Sequence, residues 1–146
     1  MYHRMKYFYD TTSDIEWKLS IQCTPITSEN IYFTQSMKYK IYSKTKKFLD
    51  SLRTDIHNAK TSIYIEMYIF GDDDKKPYNF VDTLIQKAQQ GVHVVLVLDA
   101  FGSRELEESM IKKMQKAKIE VHFFSNRLRR THRKLVMIDE KIAFFG

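Results

Sequence analysis

The residues best suited to chemistry lie in Thr131-His132-Arg133-Lys134-Leu135-Val136-Met137-Ile138-Asp139, where a histidine, a lysine and an aspartate surround an apolar run. In an extended strand alternate side chains share a face, so His132 and Lys134 point the same way. That couples a nucleophile or base to a fixed cation. The pair suits attack on a phosphate, whose charge must be neutralised while phosphorus is approached. Asp139 completes the candidate catalytic set. It lies an odd number of residues from His132, so its expected part is to fix the turn or orient the motif.

The approach to His132 is strongly basic, with Arg127, Arg129, Arg130 and Arg133. By itself such a run is either a solvated loop or a patch for anions, nucleic acid included. On either side of the histidine, Arg130 and Arg133 become candidate phosphate-binding residues. Two acids are supporting candidates. Glu66 interrupts the apolar run Ser62-Ile63-Tyr64-Ile65-Glu66-Met67-Tyr68-Ile69-Phe70, where a carboxylate is costly unless paired. It is either a structural acid or a partner of the site. Asp99 ends the run Val92-His93-Val94-Val95-Leu96-Val97-Leu98-Asp99, and the C-terminal ends of strands are where α/β sheets collect functional groups.

The surrounding elements follow from periodicity. Trp17, Leu19 and Ile21 alternate like a short strand, and residues 31–33 read as an edge strand. Ile41, Tyr42, Thr45, Phe48, Leu49, Leu52 and Ile56 share one face of a helix predicted over residues 39–58. Its lysines form either a solvated face or one that meets a membrane. The two apolar runs are strands covered on both sides. The acids Asp72, Asp73 and Asp74 sit in a solvated turn, lacking the spacing of a calcium loop. A helix through Phe80, Val81, Leu84, Ile85 and Ala88 stops at Gly91. Ser103 is expected to cap the next helix, with Glu105, Glu107 and Glu108 in its first turns and Lys112, Lys113, Lys116 and Lys118 towards its end. Residues 119–124, 135–138 and 142–145 read as strands, the last two around a turn at Asp139-Glu140-Lys141. His93 reads as a surface or satisfied histidine. The alternation β-α-β-α-β-α-β-β gives an α/β layered architecture with a largely parallel sheet.

The 146 residues amount to one domain, able to bury a core without staples. Residues 1–30 read as an N-terminal extension and 31–146 as the domain. Cys23 is the only cysteine, which excludes an intramolecular disulfide or a cysteine-cluster metal site and suits a reducing compartment. No apolar run approaches the roughly 18 residues of a membrane span, and the N-terminus lacks the pattern of a secretory signal. The net charge of +6 favours anionic partners without choosing between phospholipid and nucleic acid.

Read as H-x-K-x-x-x-x-D, residues 132–139 resemble the signature of the phospholipase D superfamily. Over about residues 30–146 the chain is similar to the first half of bacterial cardiolipin synthases of that superfamily. Residues 59–70, 88–91, 98–104, 132–139 and 142–146 match in the family's order. The resemblance implies a layered α/β/α half-domain with a mixed, largely parallel sheet. It implies phosphatidyl transfer, with phosphatidylglycerol as donor and acceptor, through a phosphohistidine and without metal or organic cofactor. His132, Lys134 and Asp139 match the motif residues, and Glu66 and Asp99 match family positions. The expected setting is the cytoplasmic membrane surface, peripherally. Family members carry two such motifs, and this chain has one. They usually begin with membrane-spanning helices, continue past the position of Gly146, and carry Gly where Glu140 stands. The first three of these departures imply a fragment, a truncated product, or a half that pairs as a homodimer or with a C-terminal half. Short single-motif relatives dimerise to cut DNA, so a homodimeric phosphodiesterase is the alternative.

Overall fold

The computed structural model describes residues 18–22, 38–71, 78–124 and 130–146. The strand expected at 31–33, the acidic turn at 72–77 and the basic loop at 125–129 lie outside them. The strands are β1 (Lys18–Gln22), β2 (Lys38–Tyr42), β3 (Ser62–Met67), β4 (His93–Asp99), β5 (Glu120–Phe124), β6 (Lys134–Ile138) and β7 (Ile142–Phe145). The helices are α1 (Thr45–Asn58), α2 (Phe80–Gln89) and α3 (Glu108–Lys116). One sheet holds all seven strands in the order β2-β1-β7-β6-β3-β4-β5.

The α/β class expected from the sequence is what folds, with a mixed sheet. Its parallel part is confined to β3, β4 and β5. The hairpin β6–β7 enters antiparallel beside β3 and pairs onward to β1 and β2. β1 thus joins part of residues 1–30 to the same sheet. Among the described residues the three helices lie on one face of the sheet. Two successive right-handed crossovers that step in one direction leave both helices on one face. Accordingly α2 and α3 lie side by side, with Lys113 Nζ 2.9 Å from Asp82 Oδ1. α1 packs on α2 over the same face, and its Leu49, Leu52 and Ile56 line one small cavity with Leu84 of α2, Ile65 and Met67 of β3 and Val136 of β6. Ile63, Val94, Leu96, Leu98, Ile138 and Phe144 are buried with them. The opposite face, with Tyr64, Val95, Val97, Leu135 and Met137, is half-buried, and no helix among the described residues covers it. No helix among them is long and apolar enough to cross a membrane.

Two helix starts differ from expectation. Residues 38–42, Lys-Tyr-Lys-Ile-Tyr, alternate and pair with β1, so α1 begins only at Thr45 and Ile41 and Tyr42 belong to a strand. The later stripe Phe48, Leu49, Leu52 and Ile56 is buried as expected. α3 begins at Glu108, because the Ser103 hydroxyl is engaged at the end of β3 and caps nothing. Gly91 does stop α2. At φ 90° it lets its own N–H donate to the Ala88 carbonyl and that of Val92 to Lys87.

The β6–β7 turn shows why the Gly-for-Glu difference matters. Asp139 (φ 52°) and Glu140 (φ 54°) are both left-handed, and the Lys141 N–H donates to the Ile138 carbonyl at 3.0 Å. A non-glycine residue there costs roughly 1–2 kcal/mol, against about 0.5–1 kcal/mol of extra chain entropy for glycine. Glu140→Gly is therefore expected to stabilise the fold by about 0.5–1 kcal/mol. Thermal unfolding should show a rise of roughly 1–4 °C.

Candidate active site

Asp139 and His132 flank opposite ends of β6. From Lys134 to Asp139 the strand runs five residues, roughly 17 Å of extended chain. Asp139 is therefore not brought to the histidine. Its carboxylate accepts the backbone N–H groups of Lys60 (2.9 Å), Thr61 (2.8 Å) and Ser62 (3.0 Å) and the Thr61 hydroxyl (2.9 Å). It thus ties the hairpin to the start of β3. Burial works to raise its pKa. The Ser62, Thr61 and Lys60 amides and the Thr61 hydroxyl outweigh it and hold the carboxyl at about 2, below its ordinary 3.8.

The folded carboxyl therefore binds its proton less well than the unfolded one. Its stabilisation is complete above the unfolded value and is lost as pH falls through the interval down to about 2. The expected loss is about 2 kcal/mol. Acid-unfolding curves of Asp139→Asn should lack that part of the pH dependence.

At the other end of β6, two acids converge on one residue. Glu66, on the half-buried face of β3, accepts from the Thr131 hydroxyl and from Arg133 Nη1 at 3.2 Å. Asp99, 2% exposed at the end of β4, accepts the Thr131 N–H at 3.1 Å through Oδ2. Its Oδ1 accepts the N–H groups of Phe101 (3.0 Å) and Gly102 (2.9 Å). Glu66 and Asp99 thus grip the segment beside the histidine instead of facing it. With Thr131 and Arg133 held towards Glu66, alternation turns His132 and Lys134 the other way.

His132 is exposed, and Lys134 Nζ lies 3.2 Å from its Nδ1 and 3.4 Å from its Nε2. The near-equal distances mean that the ammonium does not engage one nitrogen alone. A phosphoryl group arriving at the ring would meet a fixed positive charge. The Tyr68 ring packs against the imidazole at 4.6 Å between centroids. Of the expected anion-binding residues, Arg133 is paired with Glu66, and Arg130 lies over the Phe101 ring at 3.6 Å. His93 is exposed at 2.9 Å from Glu120 Oε1. Among the described residues no group of three histidine, cysteine or acidic side chains is placed to hold a metal.

Sequence reasoning missed Tyr68, Thr131 and the pair Gly102-Ser103. Ser103 accepts the Phe70 N–H and donates to the Tyr68 carbonyl, fixing the bend that brings Tyr68 to His132. A Cβ on Gly102 would stand 2.1 Å from the same carbonyl oxygen, so the loop approaches there only as glycine. Tyr68 carried no legible signal: strand parity groups it with Glu66, on the side from which His132 is turned, and only the bend beyond Met67 brings its ring to the imidazole.

An exposed His–Lys pair beside the C-terminal ends of parallel strands defines an α/β domain of the phospholipase D-like class. Solved structures carry the same fold. NucT from Helicobacter pylori superposes with a TM-score of 0.57 at 24% identity, covering 69% of this chain and 65% of that one. Nuc from Salmonella typhimurium, a phospholipase D family member, gives 0.50 at 20% identity, covering 71% and 76%. The family model described as "Cardiolipin synthase, PLD-like domain" matches residues 52–146, and the chain belongs to that family. Similar curated proteins include the major cardiolipin synthase ClsA of Bacillus subtilis, 34% identical over 132 residues. A cardiolipin synthase of Oceanobacillus iheyensis is 33% identical over 129 residues. Each alignment covers 83% of this chain and 27% of the relative, so the chain spans about a quarter of their length.

Proposed function

We propose that the chain is one half of a phosphatidyltransferase of the cardiolipin synthase kind, with His132 as its nucleophile or general acid. The observation that carries the reading is the contact of Lys134 Nζ with both nitrogens of an exposed His132, on a segment anchored by Glu66 and Asp99. With His132 as nucleophile, its nitrogen attacks the phosphorus of phosphatidylglycerol, and the bond from phosphorus to the glycerol headgroup oxygen breaks. Glycerol leaves with a proton from the second histidine, and phosphatidyl-His132 remains. A hydroxyl of a second phosphatidylglycerol then gives its proton to that histidine and attacks phosphorus. The phosphorus–nitrogen bond breaks, releasing cardiolipin. Lys134 offsets the charge on the non-bridging oxygens in both steps. The scheme uses no metal or organic cofactor.

The second histidine comes from a second copy or from a C-terminal half, and the reaction takes place at the cytoplasmic membrane surface, where the substrate is. Likeness to the curated cardiolipin synthases supports the lipid reading. The test is to incubate the chain, alone and with a C-terminal half, with phosphatidylglycerol vesicles and separately with plasmid. Cardiolipin and free glycerol are expected from the paired or dimeric protein. Nicked plasmid without lipid conversion would replace this reading with that of a homodimeric phosphodiesterase. Turnover by a strict monomer would contradict the need for pairing.

A further inference from the structure

The sheet end that carries His132 also carries three large apolar side chains that the core does not use. Phe101 is 50% exposed, Phe123 41% and Phe124 40%. Single exposed apolar residues are ordinary, but three at one end of the sheet, with Phe123 and Phe124 on its opposite faces, give that end an apolar tip suited to an interaction. Their proximity follows from the sheet. Phe123 and Phe124 end the edge strand β5, opposite Leu98 and Asp99, and the Ala100 N–H donates to the Phe124 carbonyl at 3.0 Å. Phe101 stands one residue further along the same loop. Two guanidinium groups lie against its ring, Arg130 at 3.6 Å and Arg104 at 4.9 Å.

We infer that Phe101, Phe123 and Phe124, with Arg104 and Arg130, form the surface by which this domain seats itself on an anionic bilayer. Aromatic rings favour the headgroup boundary, and adjacent cations add attraction to anionic lipid. Glu105 and Glu107 follow in the same loop, so that attraction comes from the guanidinium groups gathered at the ring. A single-stranded nucleic acid would need an open aromatic face on which to stack bases. Here Arg130 occupies the face of Phe101. The seat is joined to the candidate chemistry through one buried carboxylate: Asp99 holds the amides of Phe101 and Gly102 through one oxygen and that of Thr131 through the other. Docking would therefore present His132 at a fixed height above the lipid surface.

The lipid as substrate rests on the proposed function, but seating is measured separately from turnover. Co-sedimentation with vesicles of equal phosphatidylglycerol and phosphatidylcholine is compared with pure phosphatidylcholine. Wild-type chain should favour the anionic vesicles. Phe101→Ser and Phe124→Ser should each weaken binding about tenfold, and Arg104→Gln about fivefold at low salt, with unchanged circular dichroism. Binding that these three changes leave intact would overturn the surface, as would equal binding to both vesicles or preferential binding to single-stranded DNA. Seating that depends on these residues, with no transfer activity, would support the surface and count against the proposed function alone.

Discussion

His132→Ala is expected to remove phosphatidyl transfer, lowering turnover by roughly a thousandfold or more. As an ammonium Lys134 has no lone pair with which to form the covalent intermediate, and with lysine's ordinary pKa of about 10.4 it is a far weaker proton donor to leaving glycerol than an imidazolium. Its side chain lies beside the ring as a cation. His132 is exposed and anchors no part of the core, so the loss should come without loss of stability. Lys134→Gln should reduce turnover while retaining whichever step the histidine performs, because it removes the charge and leaves the ring. A His132→Ala protein that still converts phosphatidylglycerol at a rate within tenfold of wild type would be incompatible with this scheme.

Asp99→Ala should produce the largest structural effect. It deprives the N–H groups of Phe101, Gly102 and Thr131 of their common acceptor in a position only 2% exposed. Buried groups left without partners cost about 1–3 kcal/mol each, and partial relaxation prevents simple addition. A net loss of about 3 kcal/mol is expected, or roughly 6–12 °C in the unfolding midpoint. Asn at the same position retains an acceptor oxygen and should lose about half as much. In the surviving folded protein Thr131 would be held by Glu66 alone, so turnover should fall although His132 and Lys134 are both present. Full activity in a stably folded Asp99→Ala protein would show that the anchor does not position the histidine.

Much of this was legible in the sequence because it depends on short-range rules. The buried runs of β3 and β4, the Gly91 stop and the Phe48–Ile56 stripe all follow from period and turn chemistry. The shared direction of His132 and Lys134 follows from strand parity. What stayed hidden depends on contacts between distant parts of the chain. Asp139 reaches the amides of residues 60–62 only because β6 lies against β3, which no spacing reveals. Asp99 and Glu66 were noticed as acids in apolar strands, yet their common partner Thr131 is 32 residues from one and 65 from the other. Ser103 looked like a helix cap because local sequence offers that role, and its competing contact at the end of β3 is tertiary. The strand at Lys38–Tyr42 was absorbed into the helix that follows for a similar reason. Its pairing with β1 decides its state, and a weakly periodic run cannot declare that by itself.

If His132 and Lys134 form half of a phosphatidyl-transfer site, one of the two motif histidines carries the phosphatidyl group between donor and acceptor. Incubating the chain and a C-terminal half with phosphatidylglycerol, quenching at alkaline pH and locating any phosphatidyl adduct by mass spectrometry checks this. An acid-labile adduct is expected on one of the two motif histidines. Where the adduct forms on His132, it should be absent from His132→Ala; where it forms on the other histidine, His132→Ala should still prevent cardiolipin release. Cardiolipin formed at the wild-type rate with His132 replaced, or an adduct on a residue outside both motifs, would contradict it.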